Sequence, residues 1–259
     1  MLTLPETIGY RVEGRVAILT IDRPDAHNAL TGEMLDGLER AMAAFAAADE
    51  VWVAVLTGAG DKAFSAGADL SEVIPRATSE GMGTAIKHPF KRFFGEVYKP
   101  IIAAVNGLCV AGGLELLQGT DLRVAAEHAV FGLGEVRWGI VPAGGSHVRL
   151  PRQIPWAVAM ELLLTGQPIT AARAYDIGLV NKVVPAESLM DEAMAMAGVI
   201  CRNGPIAVRT AKEIAVRALG LEHGYALESC LVPGVLATED AKEGPRAFME
   251  KRTPRFEGR

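Results

Sequence analysis

Two glutamates stand in apolar, glycine-rich surroundings, where an acidic side chain is unusual. Glu115 lies within Leu114–Leu117, and Glu135 lies in the run Phe131–Val136. Burying a carboxylate among apolar neighbours is costly unless it is paired or protonated, so such residues are better general acid–base candidates than glutamates on charged faces. For each glutamate taken alone, the alternative is an ordinary carboxylate at a helix end or on the surface.

Two glycine-bearing turns follow predicted strands and could bind an oxyanion. They are Phe64–Leu70 and Val105–Leu116, and the second contains the pair Gly112-Gly113 before an apolar helix. Such glycines let backbone N–H groups approach a ligand, and the helix N-terminus adds partial positive charge. The alternative is that the glycines only close a strand–helix turn. Neither turn has the glycine spacing of a dinucleotide fingerprint or the Gly-Lys-Ser/Thr of a P-loop.

Other chemistries lack their residue patterns. The five histidines are scattered and show no His-Glu-x-x-His spacing, so we predict no metal site. Cys109, Cys201 and Cys230 are far apart and odd in number, which argues against a disulfide framework; we expect them to be small buried hydrophobic residues. Ser146 stands in the wrong frame for a Gly-x-Ser-x-Gly nucleophile elbow.

The elements that must position these residues alternate between strand and helix up to about residue 185. A hairpin is predicted over 10–21, and a helix with Thr31 as its N-cap follows, since Leu35, Leu38, Met42 and Phe45 recur at helical spacing. Further strands are predicted at Val51–Thr57, Ile101–Val105 and Leu122–Ala126. The pattern indicates an α/β layer structure with largely buried strands.

The C-terminal part has a different character. Helical periodicity fits 186–202, 205–219, 222–236 and 238–250, and no strand signal occurs there. We place a soft boundary near residue 200, which gives a core over 1–200 and a helical region over 201–259. A length of 259 residues suits one large domain, or one domain with an appendage.

Composition excludes several classes of protein. Half of the residues are apolar, 22% are charged, and the net charge is −5. Without a Lys/Arg block there is no reason to expect a nucleic-acid partner. No apolar run approaches the roughly 18 residues that span a bilayer, and the N-terminus does not resemble a secretory signal. We expect a cytoplasmic protein without membrane insertion.

Motifs along essentially the whole chain resemble those of one family. They are Ile21–Leu30, Phe64–Leu70, Asn106–Leu116 with Asp121, Phe131–Gly145, Leu164–Val180 and Glu243–Phe256. In this order they resemble the enoyl-CoA hydratase/isomerase, or crotonase, superfamily. The motifs are highly specific for the superfamily and less specific for the reaction.

The resemblance implies a fold, a ligand and an assembly. The fold would be a spiral of ββα turns followed by a C-terminal helical region used in trimerisation, giving homotrimers or homohexamers built as dimers of trimers. The ligand would be an acyl-CoA thioester, and no separate cofactor is expected because coenzyme A is part of the substrate.

The resemblance also assigns roles to individual residues. The backbone N–H groups of Ala68 and Gly112 would form an oxyanion hole for the thioester carbonyl. Both glutamates of the family's hydratases have a counterpart here. Glu115 would orient and deprotonate the water that attacks the β carbon, and Glu135 would hold the same water and deliver a proton to the α carbon. The chain is therefore predicted to be a hydro-lyase that converts a trans-2-enoyl-CoA to a 3-hydroxyacyl-CoA, as in fatty acid β-oxidation.

Contacts to the rest of the substrate are less specific in the sequence. Candidates from the matching motifs are Arg23, Ala26, Ala66, Asp69 and Leu70. Asp25 stands where the family often has Lys or Glu, so Arg23 and His27 are only candidates for a contact to the CoA phosphates. The segment 71–99 would form the acyl-pocket wall. Arg137 follows Glu135 closely and either pairs with it or faces solvent.

Two alternatives to the hydratase remain open. One is a sibling enzyme on the same scaffold: an isomerase, a decarboxylase, or a hydratase of a bulky branched or ring-bearing acyl group. The other is a non-catalytic acyl-CoA binding protein. Retention of both Glu115 and Glu135 counts against the second alternative without excluding it.

Overall fold

A computed structural model of the chain describes residues 2–69, 72 and 93–257. Its strands are β1 (Ile8–Glu13), β2 (Val16–Ile21), β3 (Val53–Gly58), β4 (Ala63–Ser65), β5 (Ile101–Val105), β6 (Leu108–Val110), β7 (Leu122–Ala126), β8 (Val130–Gly132), β9 (Ile169–Thr170) and β10 (Lys182–Val184). Its α-helices are α1 (Gly32–Ala47), α2 (Gly112–Gln118), α3 (Ser146–Gln153), α4 (Trp156–Thr165), α5 (Ala171–Asp176), α6 (Leu189–Cys201), α7 (Pro205–Ala218), α8 (Glu222–Leu236) and α9 (Glu239–Met249).

The larger sheet has six strands in the order β1-β2-β3-β5-β7-β10. The hairpin β1–β2 is antiparallel, and every other neighbouring pair in this sheet is parallel. All residues of β3 and β5 are buried, as expected for central strands covered on both faces. The predicted strands at Ile101–Val105 and Leu122–Ala126 are confirmed with these bounds.

A second sheet, with the order β4-β6-β8-β9, was not predicted from the sequence. Its strands have only two or three residues each, too few for a two-residue alternation to stand out. The chain passes from the large sheet to the small one at β3–β4, β5–β6 and β7–β8, and α2 follows β6 directly. This is the spiral of ββα turns that the resemblance implies.

Helices cover both faces of the large sheet. On one face, α1 begins at Thr31, whose side chain accepts a hydrogen bond from the Met34 N–H, and it buries Leu38 and Phe45, so the predicted helix and its cap are confirmed. On the other face, α6 packs Leu189, Ala193 and Ala197 against the strands. The division near residue 200 stays a prediction.

The C-terminal helices α7, α8 and α9 follow the predicted segments closely. All three contact other elements of the chain: Lys212 of α7 pairs with Asp121, α8 packs on α3, and α9 packs on the 3₁₀ turn Glu135–Trp138. In the described part of the chain, no helix is both long enough and apolar enough to cross a bilayer. One sequence prediction was wrong: Cys109 is buried and Cys201 half-buried, but Cys230 is exposed on α8.

Candidate active site

The first glycine turn is held in shape by one serine. The Ser65 hydroxyl donates to the Asn28 carbonyl at 2.8 Å and accepts the Gly67 N–H at 3.1 Å. Gly67 has φ +89°, a conformation that favours glycine. On either side of Ala68, the Gly67 carbonyl accepts the Leu30 N–H at 2.7 Å and the Asp69 N–H donates to the Leu30 carbonyl at 2.9 Å. Among the described residues the Ala68 N–H donates to no backbone group.

The second turn ends in a strained residue. Ala111 has φ 50° and ψ −128°, and its N–H is fixed on the Gly132 carbonyl at 2.9 Å. The peptide that follows carries the Gly112 N–H, the first of α2, which has no acceptor within its own helix. Positive φ at a residue with a Cβ costs of order 1–3 kcal/mol and is typical of functional sites. Sequence reasoning missed Ala111, because nothing in its residue type predicts this conformation.

The Ala68 and Gly112 amides lie side by side. A Cβ placed on Gly67 would come within 2.6 Å of the Gly112 nitrogen, and one placed on Gly112 within 3.2 Å of the Ala68 nitrogen. The structure therefore brings together Ala68 and Gly112, which lie on different turns and were predicted as a pair. Two adjacent amide donors for which the described residues supply no backbone acceptor, one of them at a helix N-terminus, suit a developing oxyanion.

Glu115 lies one turn into α2 and is only 6% exposed. Its Oε1 accepts the Gly144 N–H at 2.6 Å, and the Ser146 N–H also donates to this carboxylate. Burial, the nearby Glu135 and the buried Glu228 raise the pKa of Glu115, and the two amide hydrogen bonds oppose that shift.

Glu135 opens a 3₁₀ turn and is 8% exposed. Its carbonyl accepts the Ile140 N–H at 3.2 Å, which closes the turn, while Trp138 packs edge-on against Phe248 of α9. Within the described residues its buried Oε2 has no hydrogen-bond partner. Burial raises the pKa of Glu135. The Arg137 side chain is exposed, so of the two alternatives the structure supports the one facing solvent.

The remaining predicted contacts lie around the first turn. Arg23 Nη1 forms an ion pair with Asp69 Oδ2 at 2.6 Å and also donates to the Ala29 carbonyl at 3.3 Å. Ala26 ends a short 3₁₀ turn, and Ala66 donates its N–H to the His27 carbonyl at 3.0 Å. The Arg23 guanidinium therefore neutralises the Asp69 carboxylate. A role of these residues in holding CoA stays a prediction.

Two predictions fall largely outside the described residues. Leu70 is one, and the acyl-pocket wall over 71–99 is the other, of which 72 and 93–99 are described. In the portion of the chain that is described, no group of three His, Cys, Asp or Glu residues could hold a metal ion.

Several positioning groups were missed by sequence reasoning. Gly144 and Ser146 supply the amides that hold Glu115, and their only signal is a glycine pair before a helix. The buried amides of Asn28 and Asn106 both donate to the Ala63 carbonyl, at 2.7 and 3.0 Å, and thereby fix the strand that leads into the first turn. Their spacing along the chain gave no sign of this common acceptor.

A family model described as enoyl-CoA hydratase/isomerase matches residues 11–259. The enoyl-CoA hydratase EchA19 of Mycobacterium tuberculosis is 40% identical over 95% of this chain and 94% of that protein. The (E)-benzylidenesuccinyl-CoA hydratase of Thauera aromatica is 41% identical over 98% and 100%. A solved structure of carnitinyl-CoA hydratase from Mycobacterium avium superposes with a TM-score of 0.88 at 39% identity, covering 98% of this chain and all of that one.

Proposed function

Because the chain belongs to the enoyl-CoA hydratase/isomerase family, we propose that it catalyses the reversible addition of water to a trans-2-enoyl-CoA, giving a 3-hydroxyacyl-CoA. This makes it a hydro-lyase. One observation carries the proposal: two carboxylates, Glu115 and Glu135, are buried, and Glu115 lies on the helix whose first amide is next to that of Ala68. The charge of Glu135 contributes to the raised pKa of Glu115.

The paired amides would act on the thioester. Attack at the β carbon moves an electron pair through the conjugated system onto the thioester oxygen, so negative charge grows there in the transition state. The N–H groups of Ala68 and Gly112 would donate to that oxygen. Removing one donor from such a hole typically costs about 3–4 kcal/mol in the barrier.

The two glutamates would divide the proton transfers. Glu115, ionised, takes a proton from the water as its oxygen bonds to the β carbon, and Glu135, protonated, gives its proton to the α carbon. Glu115 gains one proton and Glu135 loses one, and proton exchange with solvent restores the starting state of both. Hydrogen bonds from Gly144 and Ser146 oppose the rise in pKa that burial causes at Glu115 and so favour its ionised form. Glu135 Oε2 has no partner among the described residues, which favours a neutral Glu135.

The substrate class we propose is acyl-CoA thioesters, with no cofactor beyond the CoA that the substrate carries. The relatives' names include hydratases of quite different acyl groups, aromatic and quaternary-ammonium ones among them. A hydratase acting on a bulky acyl group therefore stays a candidate beside one acting on straight chains.

We also propose that the protein is a homotrimer or a dimer of trimers. Large apolar side chains are exposed on α7 and α8, among them Ile206, Ile214, Leu227 and Leu231. Such side chains on one helical region favour burial against other subunits. Light scattering after size-exclusion chromatography would give three or six subunits; a monomer would contradict this part of the proposal.

The reaction is tested with a panel of trans-2-enoyl-CoAs from four carbons upward, together with branched and aromatic ones. We expect the conjugated-thioester absorbance to fall as water adds. A gain of that absorbance from a 3-enoyl-CoA without hydration would instead indicate an isomerase. Binding across the panel without turnover would indicate a non-catalytic acyl-CoA binding protein.

A further inference from the structure

The turn that holds Glu115 is itself tied to the C-terminal helix α8. His147 Nδ1 lies 3.1 Å from Glu228 Oε1, and Arg149 Nε donates to the Tyr225 hydroxyl at 2.7 Å. Both pairs join the first turns of α3 to α8. The Glu228 side chain is only 2% exposed, so this contact is internal to the protomer.

His147, which contacts Glu228, comes directly after the two residues whose amides hold Glu115. Gly144 and Ser146 donate those amides, and Ser146 Oγ accepts a further hydrogen bond from Gln118 Nε2 at 2.8 Å. A backbone shift at His147 is transmitted to Ser146 across one peptide bond. The hydrogen bond from the Gly144 N–H to Glu115 Oε1 is only 2.6 Å long, so a small shift of this backbone would reorient the Glu115 carboxylate.

Glu228 also acts on Glu115 through its charge. It is the third largest cause of the raised pKa of Glu115, after burial and Glu135. The titratable and charged groups that act on this cluster include Glu135 on Glu115, His147 on Glu228 and Tyr225 on Arg149. Arg123 and Lys212 also interact with it, through Arg149.

We propose that Glu228 and His147 form a positioning pair that fixes the orientation of Glu115 through the turn carrying Gly144 and Ser146. The inference rests on the proposed hydration. Neither residue is assigned a contact with substrate. The C-terminal region would thus contribute to the chemistry of its own protomer, in addition to any role in assembly.

Truncation of either partner tests the positioning. We expect Glu228→Ala and His147→Ala each to lower kcat about tenfold with little change in KM, because substrate binding does not use the pair. The double variant should lose no more than either single one, since residues acting as a unit are not additive. Wild-type kcat in both single variants would overturn the positioning role.

The isosteric variant tests the charge. Glu228→Gln keeps the shape and an acceptor for His147, so kcat at its optimum should return to within a few-fold of wild type. Loss of the negative charge should shift the acidic limb of the kcat/KM profile to lower pH, by about half a unit or more. A purely structural role would leave that limb in place, and an unmoved limb would contradict the charge effect.

Controls separate this inference from the proposed function. His223→Gln changes an exposed histidine of the same helix and should leave kcat and the pH profile unchanged.

If the wild type hydrates no enoyl-CoA, the proposed function fails, yet the charge effect is still measured by thermal unfolding. Glu228→Gln should then reduce the loss of Tm between pH 5 and pH 8; the same loss as in wild type would overturn the inference by itself.

Discussion

Glu115 and Glu135 are buried to the same degree, but the regions that hold them are built differently. Glu115 projects from a regular helix into a turn whose amides receive its carboxylate, and α8 closes that turn from behind. Glu135 begins a 3₁₀ turn between α4 and α9, and its Oε2 has no partner among the described residues. The first region supplies two amide donors to its carboxylate, whereas only the backbone amide of Glu135 itself lowers the pKa in the second.

The difference indicates which glutamate acts as base. Hydrogen bonds to a carboxylate favour its charged form, and burial without them favours the neutral form. Burial raises the pKa of both carboxyl groups, to about 8 for Glu115 and about 7 for Glu135, and the two titrate as a pair. The roles are therefore assigned from the amide donors around Glu115 and not from the order of the pKa values. We therefore expect Glu115 to be the base and Glu135 the acid in the hydration direction.

The largest expected effect comes from replacing either carboxylate. Glu115→Gln and Glu135→Gln should each lower the hydration rate by about a hundredfold or more, the usual scale of general acid–base catalysis. The two variants should differ in a second reaction, exchange of the α proton of a saturated acyl-CoA with deuterated water. Glu135→Gln should abolish this exchange, whereas Glu115→Gln should retain it, as NMR would show.

The opposite pattern of exchange would reverse the assignment of acid and base. Full hydration activity in either variant would remove that glutamate from the mechanism. Exposed Glu187, which lies on a separate 3₁₀ turn, offers the matched control, and Glu187→Gln should behave as wild type in both reactions.

A smaller effect is expected from crowding only one of the two glutamates. A Cβ on Gly144 would lie 2.6 Å from Glu115 Oε2, whereas one on Gly134, next to Glu135, would meet nothing within 4 Å. Gly144→Ala should therefore lower kcat about tenfold or more, and Gly134→Ala should have less than a twofold effect. Steady-state kinetics measures both; equal effects would mean that the two regions are equally tolerant.

The smallest effect is on stability, and it depends on pH. Folding raises the pKa of both glutamates, so the contribution of their neutral forms to the free energy of unfolding is fully present below the unfolded pKa of about 4.3. This contribution is lost as pH rises through the folded pKa, by up to about 1.4 kcal/mol per pH unit for each group.

Each Glu→Gln variant should therefore gain Tm relative to wild type as pH rises from 5 to 8, as differential scanning calorimetry would show. The gain with pH should be absent from Glu187→Gln. A Tm difference that stays constant over this range would mean that the glutamate does not carry a raised pKa.

Much of the layer structure could be predicted, because long apolar strands and helical periodicity are local signals. The strand Ile101–Val105, the helix after Thr31 and the C-terminal helices are examples. The second sheet could not be predicted, since strands such as Leu108–Val110 are too short to show a period. Cys230 was wrongly expected to be buried, because a cysteine on a helix does not reveal which face is covered.

The sequence by itself determined which side chains are available for chemistry and that they stand in apolar surroundings. It placed Glu115 and Glu135 among leucines, valines and glycines. Both glutamates are buried because folding removes their apolar neighbours from water. Only the tertiary structure decided their partners. The amides of Gly144 and Ser146, the strained peptide after Ala111 and the tie to Glu228 come from distant segments. Which backbone groups meet there depends on the packing of whole elements.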